Sequence, residues 1–254
     1  MFKIDKDSGE IICQKTVFER EGLSRKLIAD DEQIFIYDFC TLYALSKKDY
    51  RLFGKLQLGS DLSSDICGIT VDNDVVYCSI RNGKIITLDK QSYQIKEFIV
   101  SESSMWSIKA YGQYLICGTV DGELLLLDKA TFSIEKKLIL GKKNIGSLYI
   151  AGETLYAASH DGKLFKIHMK SFEIVTSMKK VHKKMFICAG ICEDKLVTVS
   201  FPCSEIALWN KDTLEKIRVI NTPLKLSGCT HIENDYIYIS SRNILGIDKI
   251  KLSE

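Results

Sequence analysis

Gly118 to Leu138 reads GTVDGELLLLDKATFSIEKKL, with four consecutive leucines between the pair Asp121-Gly122 and the pair Asp128-Lys129. A strand with one wet face alternates apolar and polar residues, and this run does not. It also falls far short of the roughly 20 apolar residues that cross a bilayer. A buried helix needs more length and does not begin on an Asp-Gly turn. What remains is a short strand covered on both faces.

The stretch has siblings: CSIRNGKIITLDKQSYQI (Cys78 to Ile95), ASHDGKLFKIHMKSFEI (Ala158 to Ile174), VSFPCSEIALWNKDTLEK (Val199 to Lys216) and SSRNILGIDKIKL (Ser240 to Leu252). Each runs from a small hydroxyl residue through a turn and an apolar run to a polar residue. Those polar residues are Asp89, Asp128, His168, Asn210 and Asp248, at intervals of 39, 40, 42 and 38. Degenerate copies stand at Ser46 in FCTLYALSKKD and at Asp5 in FKIDKDSG. A period near 40 residues holding several short strands marks a repeat architecture.

One unit reads as four strands: WSIKAY, QYLICGT, ELLLLDK and SIEKKLIL. Asn73, Gly112, Gly152, Asp194 and Asn234 separate the first two strands of successive units, while Asn82-Gly83, Asp121-Gly122 and Asp161-Gly162 join the next two. Such residues supply the positive φ angles that tight hairpins need. A four-stranded sheet of this size cannot cover its own faces, but sheets placed radially bury both faces against neighbours and leave only short edges. The expectation is an all-β chain forming one β-propeller domain over residues 1–254. Five complete units span about Leu27 to Leu224, with three strands left between Lys225 and Leu252. If EIICQKTVF, Glu10 to Phe18, completes that last sheet, six four-stranded blades close through pairing of the N- and C-terminal strands. The spare FKID leaves a seventh, incomplete blade as the alternative.

With these features the sequence resembles the WD40-repeat propellers, whose pattern Ser-x-Asp-Gly-x-Ile-x-x-Trp-Asp is matched from Gly118 to Asp128 with Leu127 at the tryptophan position. The Asp-Gly-x-Leu pattern is shared with quinoprotein-like propellers. One unit goes further: His182 falls at the family's Gly-His position, Ser200 at its strand serine, and Trp209-Asn210 at its Trp-Asp. The resemblance implies a structural hydrogen-bond network through His182, Ser200 and Trp209. The network is expected to be partial, because the turn SFPCSE lacks the family's aspartate.

The 35 basic and 33 acidic residues give a formal charge of +2, so no net field draws the whole molecule to nucleic acid or lipid, and recognition has to be local. No stretch reads as a signal peptide or a membrane span, and a cytoplasmic protein, monomeric by itself, is expected. The nine cysteines lie mostly in apolar runs and are expected to be reduced core residues. Cys188 and Cys192 lack zinc-knuckle spacing, and no metal or cofactor is expected.

In WD40 propellers two places per blade face the upper rim of the channel. By position, the start of the innermost strand gives Arg25, Cys67, Trp106, Gly146, Ile187 and Gly228. The residue before the Asp-Gly or Asn-Gly turn gives Arg81, Val120 and His160, with Arg242 in SSRN. Arg25, Arg81, Trp106, His160 and Arg242 are the expected partner-binding residues, since arginine and tryptophan offer large preorganised surfaces and arginine grips carboxylates in bidentate fashion. The implied partner is a protein or peptide, of acidic or aromatic character. KKVHKKM, Lys179 to Met185, reads as a solvated loop. With no nucleophile motif, phosphate loop or metal signature, the leading reading is a non-catalytic interaction platform. The alternative is a propeller-class lyase, hydrolase or quinone-dependent dehydrogenase acting on an anionic substrate, with His160 as general base.

Overall fold

A computed structural model describes residues 2–14, 26–183, 185–200, 204–223, 226–241 and 247–253, the side chains of residues 2, 226–228 and 241 excepted. A hairpin comes first, β1 (Phe2–Ile4) with β2 (Ile11–Gln14). The first blade is β3 (Lys26–Ala29), β4 (Gln33–Asp38), β5 (Thr41–Ser46) and β6 (Leu52–Gln57). The second is β7 (Ile66–Asp72), β8 (Val75–Ile80), β9 (Lys84–Asp89) and β10 (Ile95–Ile99). The third is β11 (Met105–Tyr111), β12 (Tyr114–Thr119), β13 (Glu123–Asp128) and β14 (Ile134–Ile139). The fourth is β15 (Ile145–Ala151), β16 (Thr154–Ser159), β17 (Leu164–His168) and β18 (Glu173–Met178). The fifth is β19 (Ile187–Cys192), β20 (Lys195–Ser200), β21 (Glu205–Asn210) and β22 (Lys216–Asn221). The sixth shows three strands among the described residues, β23 (Leu226–Glu233), β24 (Tyr236–Ser241) and β25 (Ile247–Lys251). All pairings are antiparallel, the innermost strands line a common channel, and the only helical turn described is a 3-10 turn at Leu62–Ser64. The chain is thus an all-β propeller of six blades.

The leucine run behaves as its pattern requires. Leu124 and Leu126 pack with Ile145, Leu148 and Phe165 of the fourth blade, while Leu125 and Leu127 pack with Tyr77 and Ile85 of the second. All four are under 5% exposed. At about 1.5–3 kcal/mol for each fully buried leucine, one strand contributes to two interfaces at once. The turn ahead of it requires Gly122, whose φ is +84° and whose missing Cβ would lie 2.6 Å from the Gly141 carbonyl oxygen.

A second device recurs where the third strand turns into the outer one. Asp89 accepts hydrogen bonds from the Gln91 and Ser92 backbone N–H groups and the Ser92 hydroxyl, and Asp128 does the same with Ala130 and Thr131. Four residues after each such position the chain enters the left-handed region, at Tyr50, Tyr93, Phe132, Phe172 and Leu214. That conformation is unfavourable for bulky side chains, and burial offsets it: Phe172 and Leu214 are each 2% exposed.

Two expectations change. Asp248 is not the sixth copy of the repeat position; Lys251 is, since it faces Tyr236 as Asp89 faces Val75 and Asp128 faces Tyr114. The apolar spacing of ILGIDKIKL conceals this three-residue shift. Nor do the described N-terminal strands join the last sheet. β2 pairs with β1, and residues 15–18 of the proposed closing strand lie outside the described residues. The reason is local: Asp5 accepts from the backbone of Asp7 and Ser8 and from the Ser8 hydroxyl, and the Gly9 N–H bonds to the Asp5 carbonyl. This is the turn that joins third and outer strands elsewhere, and a hairpin closed over a few residues costs far less entropy than pairing with the far end of the chain. The hairpin sits where the last blade meets the first. Lys6 Nζ lies 2.9 Å from Glu233 Oε1, Lys249 Nζ donates to the Lys6 carbonyl, and Lys3 Nζ lies 5.7 Å from the centre of the Tyr50 ring.

Candidate functional site

One backbone hydrogen bond, repeated in three blades, builds the rim of the mouth. The N–H of Arg81 donates to the Asp65 carbonyl, that of Val120 to Ser104, and that of His160 to Asn144, at 2.9, 3.0 and 2.9 Å. Each bond ties the residue after the second strand to the residue just before the innermost strand of the same blade. Arg81, Val120 and His160 are therefore equivalent in place, as their spacing suggested.

Three of the expected partner-binding side chains come together there. The Arg81 guanidinium lies 5.7 Å from the centre of the Trp106 ring, within cation–π reach, and the Trp106 and His160 rings meet edge to face at 6.2 Å and 81°. His160 reaches this position because its neighbour is Gly146: a Cβ there would lie 2.2 Å from His160 Nε2. Burial holds the His160 imidazole below its ordinary pKa, so the neutral ring is favoured. Arg25 and Arg242 lie outside the described residues.

Asp65 was not among the residues read from the sequence as site residues, and it is the anchor of the row. Its side chain is 1% exposed, and its Oδ2 takes a 3.1 Å ion pair from Arg81 Nη2. The signal was present, since Asp65, Ser104 and Asn144 recur at intervals of 39 and 40 just before each innermost strand. Several polar atoms of the row stay open among the described residues. Arg81 Nε and Asn144 Oδ1 are buried without a hydrogen-bond partner, and none is present for Trp106 Nε1 or either ring nitrogen of His160.

The structural trio resolves differently. Trp209 Nε1–H donates to Thr198 Oγ1 at 2.8 Å, and the same oxygen lies 2.8 Å from His182 Nε2. The shared hydroxyl is therefore Thr198 and not Ser200, whose Oγ donates instead to the Met185 carbonyl. Both side chains project from the same face of β20, but Thr198 lies level with the indole. The acid missing from the turn is replaced by Glu205, with Oε1 2.7 Å from His182 Nδ1, off the line of an ideal hydrogen bond. The carboxylate favours the tautomer protonated on Nδ1, leaving Nε2 to accept the Thr198 proton. Burial keeps His182 below its ordinary pKa, against the opposing pull of Glu205. The lysine-rich segment around His182 is not a fully solvated loop: Val181 and His182 are 2% and 4% exposed, while Lys179, Lys180 and Lys183 are exposed.

Below the mouth, residues of all six blades enclose a channel space of about 570 Å³, to which Lys26 and Lys109 both contribute. Among the described residues no group of His, Cys, Asp and Glu is arranged to hold a metal ion, and no helix is long and apolar enough to cross a membrane.

No protein-family model matches the chain, and no curated protein matches it in sequence. Solved structures do match. The crystal structure of the computationally designed Ika8 protein aligns over 96% of this chain and 87% of its own, with a TM-score of 0.74 and 11% identity. That of BamB from Moraxella catarrhalis aligns over 96% and 81%, with a TM-score of 0.67 and 18% identity. At these identities the likeness concerns the fold.

Proposed function

We propose that the chain is a WD40-like, non-catalytic interaction platform that docks an extended segment of a protein partner across its mouth. The observation behind this reading is the Asp65–Arg81–Trp106–His160 row, a preorganised surface whose indole N–H and imidazole nitrogens have no partner among the described residues. A segment that fits it offers acceptors, either backbone carbonyls or an Asp or Glu side chain, beside apolar surface for the indole face. Asp65 already occupies one edge of the guanidinium, so the row selects by direction of hydrogen bonding more than by net charge. The network through His182, Thr198, Trp209 and Glu205 supports the WD40-like character. Cys13, Cys78, Cys117, Cys188 and Cys192 carry free thiols, and burial pushes the Cys78 thiol up to about 12, in keeping with a reducing compartment such as the cytoplasm. What favours a platform over a general-base enzyme is that Trp106 and Gly146, the groups against His160, relay no protons.

Capture from cell extract tests the reading. The Trp106→Ala/His160→Ala variant, folded as judged by its melting curve, should lose partners retained by the wild type. Recovery of the same partners by both would sink it.

A further inference from the structure

We propose that the central channel is a binding site for a small polyvalent anion, a phosphate or a di- or tricarboxylate, held between Lys26 and Lys109. This site is separate from the mouth. Lys109 follows Trp106 by three positions on β11, about 10 Å deeper at the rise of a strand.

Neither lysine has an ion pair or hydrogen bond among the described residues, and no Asp or Glu is among the described residues that line the channel. Two cations facing one space with no counterion among the described residues repel each other. The structure carries the mark of this cost: burial lowers the pKa of both ammonium groups, and Lys26 lowers that of Lys109 further. Water-sized solutes nevertheless reach Lys26, so the group is confined by the channel wall but open to a ligand. Two polar groups in an otherwise largely apolar lining suit an anion. Tyr149 and Thr230 line the space, and their hydroxyls have no partner among the described residues, leaving both able to donate. Ser107 differs, since its hydroxyl donates to the Ile145 carbonyl at 2.7 Å. The volume matches small-molecule sites and excludes a folded partner. An anion bridging the ammonium groups supplies the missing charge and turns their repulsion into attraction.

Isothermal titration of the full chain with inorganic phosphate, a phosphomonoester (glycerol 3-phosphate) and citrate, in a buffer free of other polyvalent anions, tests the proposal. One-to-one binding of at least one probe is expected. Binding by phosphate and phosphomonoester alone identifies a phosphoryl ligand, and binding by citrate alone a carboxylate one. Lys26→Gln and Lys109→Gln should each weaken binding at least about tenfold, the equivalent of one charge-assisted hydrogen bond. Trp106→Ala should leave it unchanged, which separates this site from the mouth. No binding by any probe at millimolar concentration, or equal binding by the double Gln variant, overturns the proposal. Melting curves give a second measure: in anion-free buffer Lys109→Met should melt higher than the wild type, by relief of an unmet charge. A lower melting temperature overturns it.

Discussion

The rim row and the fifth-blade network are built from the same kinds of side chain and serve opposite ends. Each sets a histidine edge to face with a tryptophan, His160 with Trp106 at 6.2 Å and His182 with Trp209 at 6.4 Å, and each includes an acid, Asp65 or Glu205. In the fifth blade one hydroxyl, Thr198, both accepts from the indole and donates to the imidazole, and Trp209 is 1% exposed. At the rim no such hydroxyl intervenes among the described residues, and the Trp106 N–H is left without a partner there. A closed polar network rigidifies and specifies a core, whereas an open one waits for a partner. Residue type therefore does not separate structure from recognition here; the hydroxyl shared by indole and imidazole, and the full burial of that pair, do.

Removing the two indoles gives the widest contrast. Trp209→Ala should destabilise by about 3–5 kcal/mol, the cost of deleting a buried aromatic, read as a large shift in the denaturant midpoint. Trp106→Ala should move that midpoint little and abolish partner capture. If both variants lose only stability, the rim is simply more core. Next in size is the hydroxyl. Thr198→Val leaves the Trp209 N–H and His182 Nε2 unpaired in the interior and should cost about 1–3 kcal/mol. Ser200→Ala removes only a side-chain bond to the Met185 carbonyl and should cost less. The reverse order by chemical denaturation would restore Ser200 to the place the resemblance gave it.

Acid sharpens the comparison further. The folded-state pKa of His182 lies below its ordinary value of 6.5, so the unfolded chain binds more protons in this range. Stability from this group is complete above that value and is lost as pH falls through the lower folded one. Melting temperature should decline below about pH 6.5, and His182→Gln should flatten that decline. His160 is shifted in the same direction and adds to the effect. The smallest expected change in stability is Gly146→Ala. Its Cβ displaces the His160 ring, so capture should weaken while the melting temperature barely moves, and unaltered capture would detach His160 from recognition.

The architecture was readable because each blade repeats the same physical solution. Asp-Gly and Asn-Gly turns, a doubly apolar third strand and a polar cap residue recur at a nearly constant interval. Position within the repeat also located Arg81, Trp106 and His160, because the chain is fixed to the rim by backbone bonds that hold for any side chain. What resisted reading was whatever depended on substitution or slippage inside a unit. Glu205 replaces an acid expected earlier in the turn, and Thr198 replaces a serine two residues on along the same strand face. Lys251 takes the repeat position from Asp248 because both are polar residues in an alternating strand. Asp65 escaped notice because an acid before a strand normally signals a turn. Lys26 and Lys109 gave no motif at all, since two lysines 83 residues apart line one space only when the ring is closed.

The hairpin at the junction of last and first blades makes the molecule less like a welded ring than like a bracelet with a clasp. Elsewhere neighbouring blades are held by buried leucine, isoleucine and aromatic side chains, which indifferent salt does not weaken. At the clasp the first blade also buries Ile34, Ile36, Tyr43 and Leu45. The described links of the hairpin itself, however, are Lys6 with Glu233, Lys249 with Asp7 and the Lys6 carbonyl, and Lys3 over Tyr50, all on charged side chains near solvent. Such contacts fade as the Debye length shrinks from about 10 Å at 0.1 M to about 3 Å at 1 M ionic strength. Ionic strength therefore acts selectively on the hairpin's hold, while the apolar face beneath it stays packed.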